Sequence, residues 1–496
     1  MSQTLHTTSP MSRIQLGQTS IIFFISRLLA SVIGFGATLY IARNIGAEPL
    51  GIYNVGIGMV AWLGIVGRVG FTTAITKRVS EGEEQGAYTI AGTLIIGSVF
   101  AVTASGVLLF RPYVNQYVEY SAAVFIVLIL FASLAYGVIT SLLTGYHLVH
   151  IKGILSTVRT AGRGVIQILA VIAGLGAAGL FWGHLAGLLF VIGIGLYVLR
   201  GKLASIERPE KQHYRSLFDF AKFSWLGNLQ SRMFNYTDIL VLGLFVSSSL
   251  IGVYSIAWNI SQFLILFSGA LSSTLFPEMS KLSAQQDQQA AADIIEQSLA
   301  YGGLFLIPGV FGGGILGKRI LQIYGPEFTQ GATVLLVLII ANLFMGYQNQ
   351  LLNALNAIDR PDLSFRVNAV FVAGNVSFNI VLIYLYGWIG AAIATAGSTA
   401  ISLGLSYYYI STIISFRLPG EEILRQGFAA LVMAVVVYSG LLFENSYRLI
   451  RHNVIIVLFF VGTGATVYFV VLLGLSPRFR ETVDRNIPFR IPLVSS

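Results

Sequence analysis

The stretch Leu217–Phe245, LFDFAKFSWLGNLQSRMFNYTDILVLGLF, is long and apolar enough to cross a bilayer, which takes about 20 residues at 1.5 Å rise each. It nevertheless carries Asp219, Lys222, Asn228, Arg232, Asn235 and Asp238. At about 100° per residue, Asn228, Ser231, Arg232, Asn235 and Asp238 share one arc of about 120°, and the opposite face is Leu, Phe and Val. Ionisable groups at membrane depth are costly and face a bundle interior or a wet cavity. The chemistry available to this arc is the holding and pairing of charge.

Three further stripes accompany it. Ser20, Arg27, Ser31, Gly34 and Thr38 lie within about 60° of one another on a first span, and Asn54, Ala61, Gly64, Arg68 and Thr72 share a face of a second. Lys152, Arg159, Arg163 and Gln167 follow at helical spacing and form a polar ladder. Against the membrane cations stand only Asp219 and Asp238, so a cavity lined by them is net basic and attracts phosphate or pyrophosphate. Arginine suits that task because its planar guanidinium forks onto two oxygens and stays charged. Arg27, Arg68 and Arg232, with Arg163 and Lys222, are therefore the expected holders of an anionic head group, with Asn54, Asn228 and Asn235 as polar lining. Arg159 and Arg366 are read as snorkelling to an interface. Asp238 is either a counter-ion for Arg232 or Lys222, or a residue that couples to an ion. The Ser364, Asn368, Asn375 and Asn379 face is read as interhelical hydrogen bonding.

The elements that must position these groups are membrane helices. Hydrophobic residues make up 55% of the 496-residue chain and Asp, Glu, Lys and Arg only 10%, a membrane composition. Fourteen apolar spans are expected, near 20–43, 51–76, 88–110, 121–146, 154–174, 177–199, 217–245, 251–275, 298–317, 331–352, 363–386, 388–411, 424–443 and 453–475. The longest intervening tract, 276–297, is read as a surface helix on the inner side. The net charge of +9 is not read as a nucleic-acid signal, because it concentrates on alternate loops, as the positive-inside rule requires of the cytoplasmic side. That places both termini in the cytoplasm of a multi-pass plasma-membrane protein with no cleaved signal peptide. There is no cysteine, which excludes disulfides and thiol chemistry. The six histidines, His6, His147, His150, His184, His213 and His452, are scattered and read as loop residues without a metal. No P-loop is present, and neither an enzyme activity nor a cofactor is expected.

The chain also repeats itself. Gly46-Ala-Glu-Pro-Leu-Gly51-Ile-Tyr53 returns as Val246-Ser-Ser-Ser-Leu-Ile-Gly252-Val-Tyr254, and Gly176 and Gly179 return as Gly387 and Gly390. Six spans separate the copies, so both enter from the same side, giving a parallel repeat. The expected fold is all-α and polytopic: a lobe of six helices over 1–200, a cytoplasmic linker over 201–216, a second lobe over 217–415, and two more helices with a tail over 416–496.

The opening GQTSIIFFISRLLASVIGF and IARNIGAEPLGIYNV, the segment from Asp238 to Leu282, and the run Gly387-Trp-Ile-Gly-Ala-Ala-Ile-Ala394 resemble the polysaccharide-transporter flippases of the multidrug/oligosaccharidyl-lipid/polysaccharide exporter superfamily. The resemblance covers nearly the whole chain. It implies fourteen helices in two lobes that carry a polyprenyl-linked glycan across the membrane by alternating access. Membrane lipids and glycan polymerases or transferases are the implied partners, and nucleic acid is not one. Lipid II flippases of that superfamily use arginines in helices 1, 2 and 8. Arg27 and Arg68 match the first two by position, while span 8 here has no arginine and Arg232 on span 7 stands in its place. The alternative within the superfamily, a cation-coupled multidrug antiporter, needs a carboxylate-rich cavity, and this one is basic.

Overall fold

The computed structural model describes residues 33–68, 70–202, 207–285, 287–447 and 449–486, without the side chains of 66–68, 223–235, 270, 273–274 and 485–486. Among the described residues every regular element is a helix. In chain order these are α1 (33–45), α2 (Ala47–Arg68), α3 (Phe71–Ser80), α4 (Gln85–Leu109), α5 (Arg111–Val118), α6 (Ala123–Gly145), α7 (Val149–Ile172), α8 (Gly176–Leu199) and α9 (Lys211–Phe245). There follow α10 (Ser248–Ala284), α11 (Gln288–Gly302), α12 (Leu306–Gln322), a 3-10 turn (Pro326–Gly331), α13 (Ala332–Ala357), α14 (Pro361–Tyr386), α15 (Trp388–Ser411), α16 (Gly420–Tyr447), α17 (Asn453–Leu475) and α18 (Pro477–Asn486). Eleven segments among the described residues are long and apolar enough to span a membrane, and they coincide with eleven of the fourteen expected spans. The other three, 20–43, 51–76 and 217–245, each contain residues or side chains outside the described set.

Large apolar side chains such as Val102, Leu109 and Tyr384 stand more than 70% exposed, which water would not tolerate over a whole surface but lipid favours. Serine and threonine hydroxyls inside the helices bond to their own backbone one turn back, as Thr89 does to Gln85, Thr93 to Thr89 and Ser398 to Ala394. With no water at that depth, the hydroxyl must find a partner within the protein.

The chain divides between Gly243 and Leu244 into two compact units. In the first, α6 is central: Ile126, Ile129, Leu130 and Leu143 are fully buried where it packs against α2, α3, α4 and α8. The repeat assigns α9 to the second half, yet its described contacts lie in the first unit: Phe218 meets Phe71 edge-on, and Tyr117 of α5 donates to the Leu240 carbonyl at 2.5 Å. In the second unit α13 holds the centre, packed on α10, α12 and α15. A separate core of Leu304, Ile307, Leu316, Met433, Val437, Ile456 and Phe460 joins α16 and α17 to α12.

The repeat is visible in the elements themselves. The matched segments begin α2 at Ala47 and α10 at Ser248, and the hairpins α7–α8 and α14–α15 both turn through a left-handed glycine, Gly176 at φ 52° and Gly387 at φ 60°. Two expectations change. The span at 51–76 is broken, because Gly70 adopts φ 73° and its Cα touches the backbone of Ala221 so closely that a Cβ would overlap it. The tract 276–297 is not a separate surface helix: α10 runs on to Ala284, Asp287 caps α11 by accepting from the Ala290 amide at 3.0 Å, and Ala291, Ala292, Ile294 and Ile295 are buried in the core.

The α7–α8 pairing rests on Gly179, Gly183 and Gly187, one per turn on α8. A Cβ at Gly183 would stand 2.5 Å from Gln167 Cγ and 2.9 Å from its amide nitrogen, and one at Gly187 would stand 3.1 Å from the Arg163 Cα. Small residues at this spacing let membrane helices approach backbone to backbone. Gly183→Leu should therefore lower the melting temperature of the detergent-solubilised protein by an amount equivalent to at least about 1–3 kcal/mol of overpacking. Gly193→Ala, where the added Cβ meets nothing within 4 Å, should leave it within error of the parent.

Candidate functional site

The α7–α8 contact carries the polar groups of the first unit into one place. Arg159 and Arg163, one turn apart on α7, line a small, partly open recess with Thr160 and with His184 and Leu188 of α8. The Arg159 guanidinium lies 5.2 Å from the centre of the Tyr136 ring on α6, a cation–π arrangement that compensates part of its lost hydration. Behind the cavity, the Tyr53 hydroxyl of α2 and His184 Nδ1 are 2.7 Å apart, and the Tyr53 ring packs edge-on against Phe181. With Tyr53 donating, the imidazole proton resides on Nε2, which leaves His184 a donor of its own. Gln167, the top of the ladder, donates to the Leu180 carbonyl at 2.9 Å and ties the two helices together.

The electrostatics of this cavity are one-sided. The Nε atoms of both Arg159 and Arg163 are buried with no hydrogen-bond partner, and among the described residues neither arginine enters an ion pair. The arginines of the second unit contrast with them: Arg319 meets Glu444 at 3.2 Å and Arg425 meets Glu421 at 3.3 Å. A buried charge without a partner is expensive. Two guanidiniums beside an imidazole can hold an oxyanion, with up to five N–H donors from each arginine in a fixed fork.

Of the residues singled out from sequence, Arg163 lies in this cavity. Arg159, read as snorkelling, lies there too, because Tyr136 from a neighbouring helix gives its guanidinium a surface to rest on. His184 is corrected from a loop residue to a buried helical one, and so is His213, which is 1% exposed on α9 and 3.1 Å from Glu84. Lys152, at the foot of the ladder, is exposed and donates to Thr144 at 3.3 Å. Lys222 is also exposed, with its ammonium 2.7 Å from Asp219 one turn away, so it stands apart from the cavity. Asn54 is half-buried beside Tyr53, and Asp238 is 4% exposed on α9. Arg27 lies outside the described residues, as do the side chains of Arg68, Asn228, Arg232 and Asn235. Sequence reasoning passed over Tyr53 and His184; the Gly179, Gly183, Gly187 series around His184 was the available signal of a close helix contact there.

The Tyr53–His184 bond is buried at both ends, so its loss strands an imidazole nitrogen, at a cost of about 1–3 kcal/mol. Tyr53→Phe and His184→Leu should each destabilise the protein by about that amount in thermal unfolding. The double variant should fall short of the sum by roughly 1 kcal/mol, the signature of a direct interaction. Additive effects would mean that the bond contributes nothing to stability.

Comparison with known proteins accords with this architecture. The family model described as "Polysaccharide biosynthesis protein" matches residues 16–283, and the MatE model matches residues 224–385. The "Probable flippase AglR" of Haloferax volcanii is 30% identical, with the match covering 95% of this chain and 98% of that protein. The "Probable low-salt glycan biosynthesis flippase Agl15" of the same organism is 28% identical over 97% of this chain and 100% of its own length. Among solved structures, "Lipid II flippase MurJ, inward closed conformation" superposes with a TM-score of 0.76 at 15% identity, covering 93% of this chain and all of that one. A multidrug resistance MATE transporter of the MOP superfamily in its inward-facing conformation gives a TM-score of 0.61 at 13% identity, over 77% of this chain and 95% of its own. A family model matched over more than half of the chain, and a relative 30% identical along nearly all of it, make the chain a member of the polysaccharide biosynthesis protein family.

Proposed function

We propose that the protein is a flippase that carries a lipid-linked oligosaccharide from the cytoplasmic to the outer leaflet of the plasma membrane by alternating access. The observation that carries this reading is the pair Arg159 and Arg163, half-buried in a membrane helix bundle, sharing one recess and, among the described residues, lacking an acidic partner. Such a pair holds a phosphate or pyrophosphate, the group that joins a polyprenol to its glycan. The names of AglR and Agl15 support the substrate class. The multidrug-antiporter reading fits less well, because organic cations would be repelled by two uncompensated guanidiniums.

The remaining assignments belong to the same proposal. Arg27, Arg68 and Arg232 add further positive charge to the path of the head group, Asn54, Asn228 and Asn235 meet its polar parts, and both termini face the cytoplasm. Two six-helix lobes rock about the substrate, and the polyprenyl tail stays in lipid. Asp238 supplies the ion coupling, since moving one charge through the membrane is worth about 2.3 kcal/mol per 100 mV.

Two measurements test the reading. In a cell whose surface glycan depends on the protein, Arg159→Ala and Arg163→Ala should each reduce delivery of lipid-linked glycan to the outer leaflet at least tenfold, read by its accessibility to an added glycosidase. The corresponding lysine variants should recover part of that activity, because lysine keeps the charge but loses the fork. Wild-type delivery by the double alanine variant at normal expression would remove the cavity from the mechanism. For Asp238, the asparagine variant should lose the dependence of transport on imposed potential, pH or Na⁺ while still binding substrate; unchanged dependence on all three would leave Asp238 a structural residue.

A further inference from the structure

In the second unit one membrane-crossing segment is interrupted. Residues 288–322 form a single apolar span, but α11 ends at Gly302 and α12 begins at Leu306. Backbone is released from helical pairing inside a membrane only where other groups take over its polar atoms. Here Gln426 of α16 donates its Nε2 to the Ala300 carbonyl at 2.7 Å, in the last turn of α11. Its other amide atom, Oε1, is buried without a hydrogen-bond partner, and so are Glu422 Oε1, the Tyr347 hydroxyl of α13 and the Tyr468 hydroxyl of α17. Gln426 is 0%, Tyr468 1% and Glu422 3% exposed.

Two of these oxygens meet at the break. A Cβ on Gly303 would overlap the Tyr347 hydroxyl and stand 3.1 Å from Gln426 Oε1, so only glycine admits them. The Tyr468 hydroxyl lies within electrostatic reach of both Tyr347 and Glu422. Arg425 reaches the other oxygen of Glu422 at 3.5 Å and the exposed Glu421 at 3.3 Å, so the buried carboxylate keeps one oxygen unpaired and shares its guanidinium with a second carboxylate. Four buried oxygens without hydrogen-bond partners, one of them a carboxylate oxygen, beside the carbonyl end of a half-helix, are the elements from which membrane proteins build sites for small cations. Among the described residues no three acidic, histidine or cysteine side chains group together anywhere, which argues for a singly charged ion.

We infer that the α11–α12 break is a binding site for a monovalent inorganic cation, Na⁺ in the first place, held by Glu422, Gln426, Tyr347 and Tyr468. The site stands independently of the glycan reading and of Asp238. By fixing α11, α13, α16 and α17 to one ion, it would make the packing of α16 and α17 on the rest of the second unit dependent on that ion.

The test uses the purified full-length protein in detergent, with NaCl titrated against choline chloride at constant ionic strength. Thermal unfolding should show a saturable rise in melting temperature with Na⁺, matched by saturable binding of radioactive Na⁺. Glu422→Gln should abolish both, and Tyr347→Phe and Tyr468→Phe should each raise the half-saturating Na⁺ concentration at least threefold. The tyrosine variants decide the matter if Glu422→Gln does not fold. Asp238→Asn should keep the full response, which separates this site from any ion coupling through Asp238. The inference is overturned if Na⁺ and choline give the same melting curve, if K⁺ is preferred to Na⁺, if stability follows pH alone, or if both tyrosine variants bind Na⁺ as the parent does.

Discussion

Much of the first unit depends on how closely α7 and α8 approach. Gly183 and Gly187 leave room for neither a methyl group nor a shift, so the backbone of α8 lies directly on the backbone of α7 at Gln167 and Arg163. In lipid there is no hydrophobic drive to bring two helices together, and close van der Waals contact must supply the association. The same contact fixes where the arginines begin. With its Cα held against Gly187, Arg163 has only its side-chain torsions with which to place the guanidinium, and the Gln167–Leu180 bond prevents the helices from sliding. The cavity is thus defined by glycines that never touch what it holds.

The two units solve the problem of buried polarity differently, although they share a repeat. In the first, a helix hairpin exposes unpaired guanidiniums to a cavity. In the second, the matching hairpin α14–α15 carries amides and hydroxyls that bond to one another: Asn375 donates to Thr395 at 3.2 Å, and Asn379 donates to the Asn375 carbonyl at 2.9 Å. The surplus in the second unit is oxygen instead of nitrogen, and it gathers at a helix break between α13, α16 and α17.

Much of this was legible in the sequence, for physical reasons. Membrane spans announce themselves because lipid demands some 20 apolar residues, and the turn glycines because φ near +60° excludes most other residues. The ladder of Arg159 and Arg163 was visible as spacing. What spacing could not supply was the neighbour. Tyr136 comes from α6, and without it Arg159 reads as a residue reaching for an interface; Lys222 looked like a cavity residue until Asp219 was seen to pair with it one turn away. His184 is a lone polar residue in an apolar run, and only the position of Tyr53, 131 residues away, shows which way it faces. The break at Gly70 escaped because a single glycine in an apolar helix carries no sign of the backbone that will press against it.

That break sets the two units apart mechanically. Its repeat counterpart, α10, continues through 37 residues with Pro277 in its interior, about 55 Å at 1.5 Å per residue, and Pro277 removes one backbone hydrogen bond six residues beyond the position matching Gly70. The first unit has two shorter levers, α2 and α3, joined at a residue whose torsions few other amino acids could adopt. The first unit thus breaks its long helix at Gly70, against Ala221 on α9, whereas the corresponding stretch of the second unit stays helical up to and past Pro277.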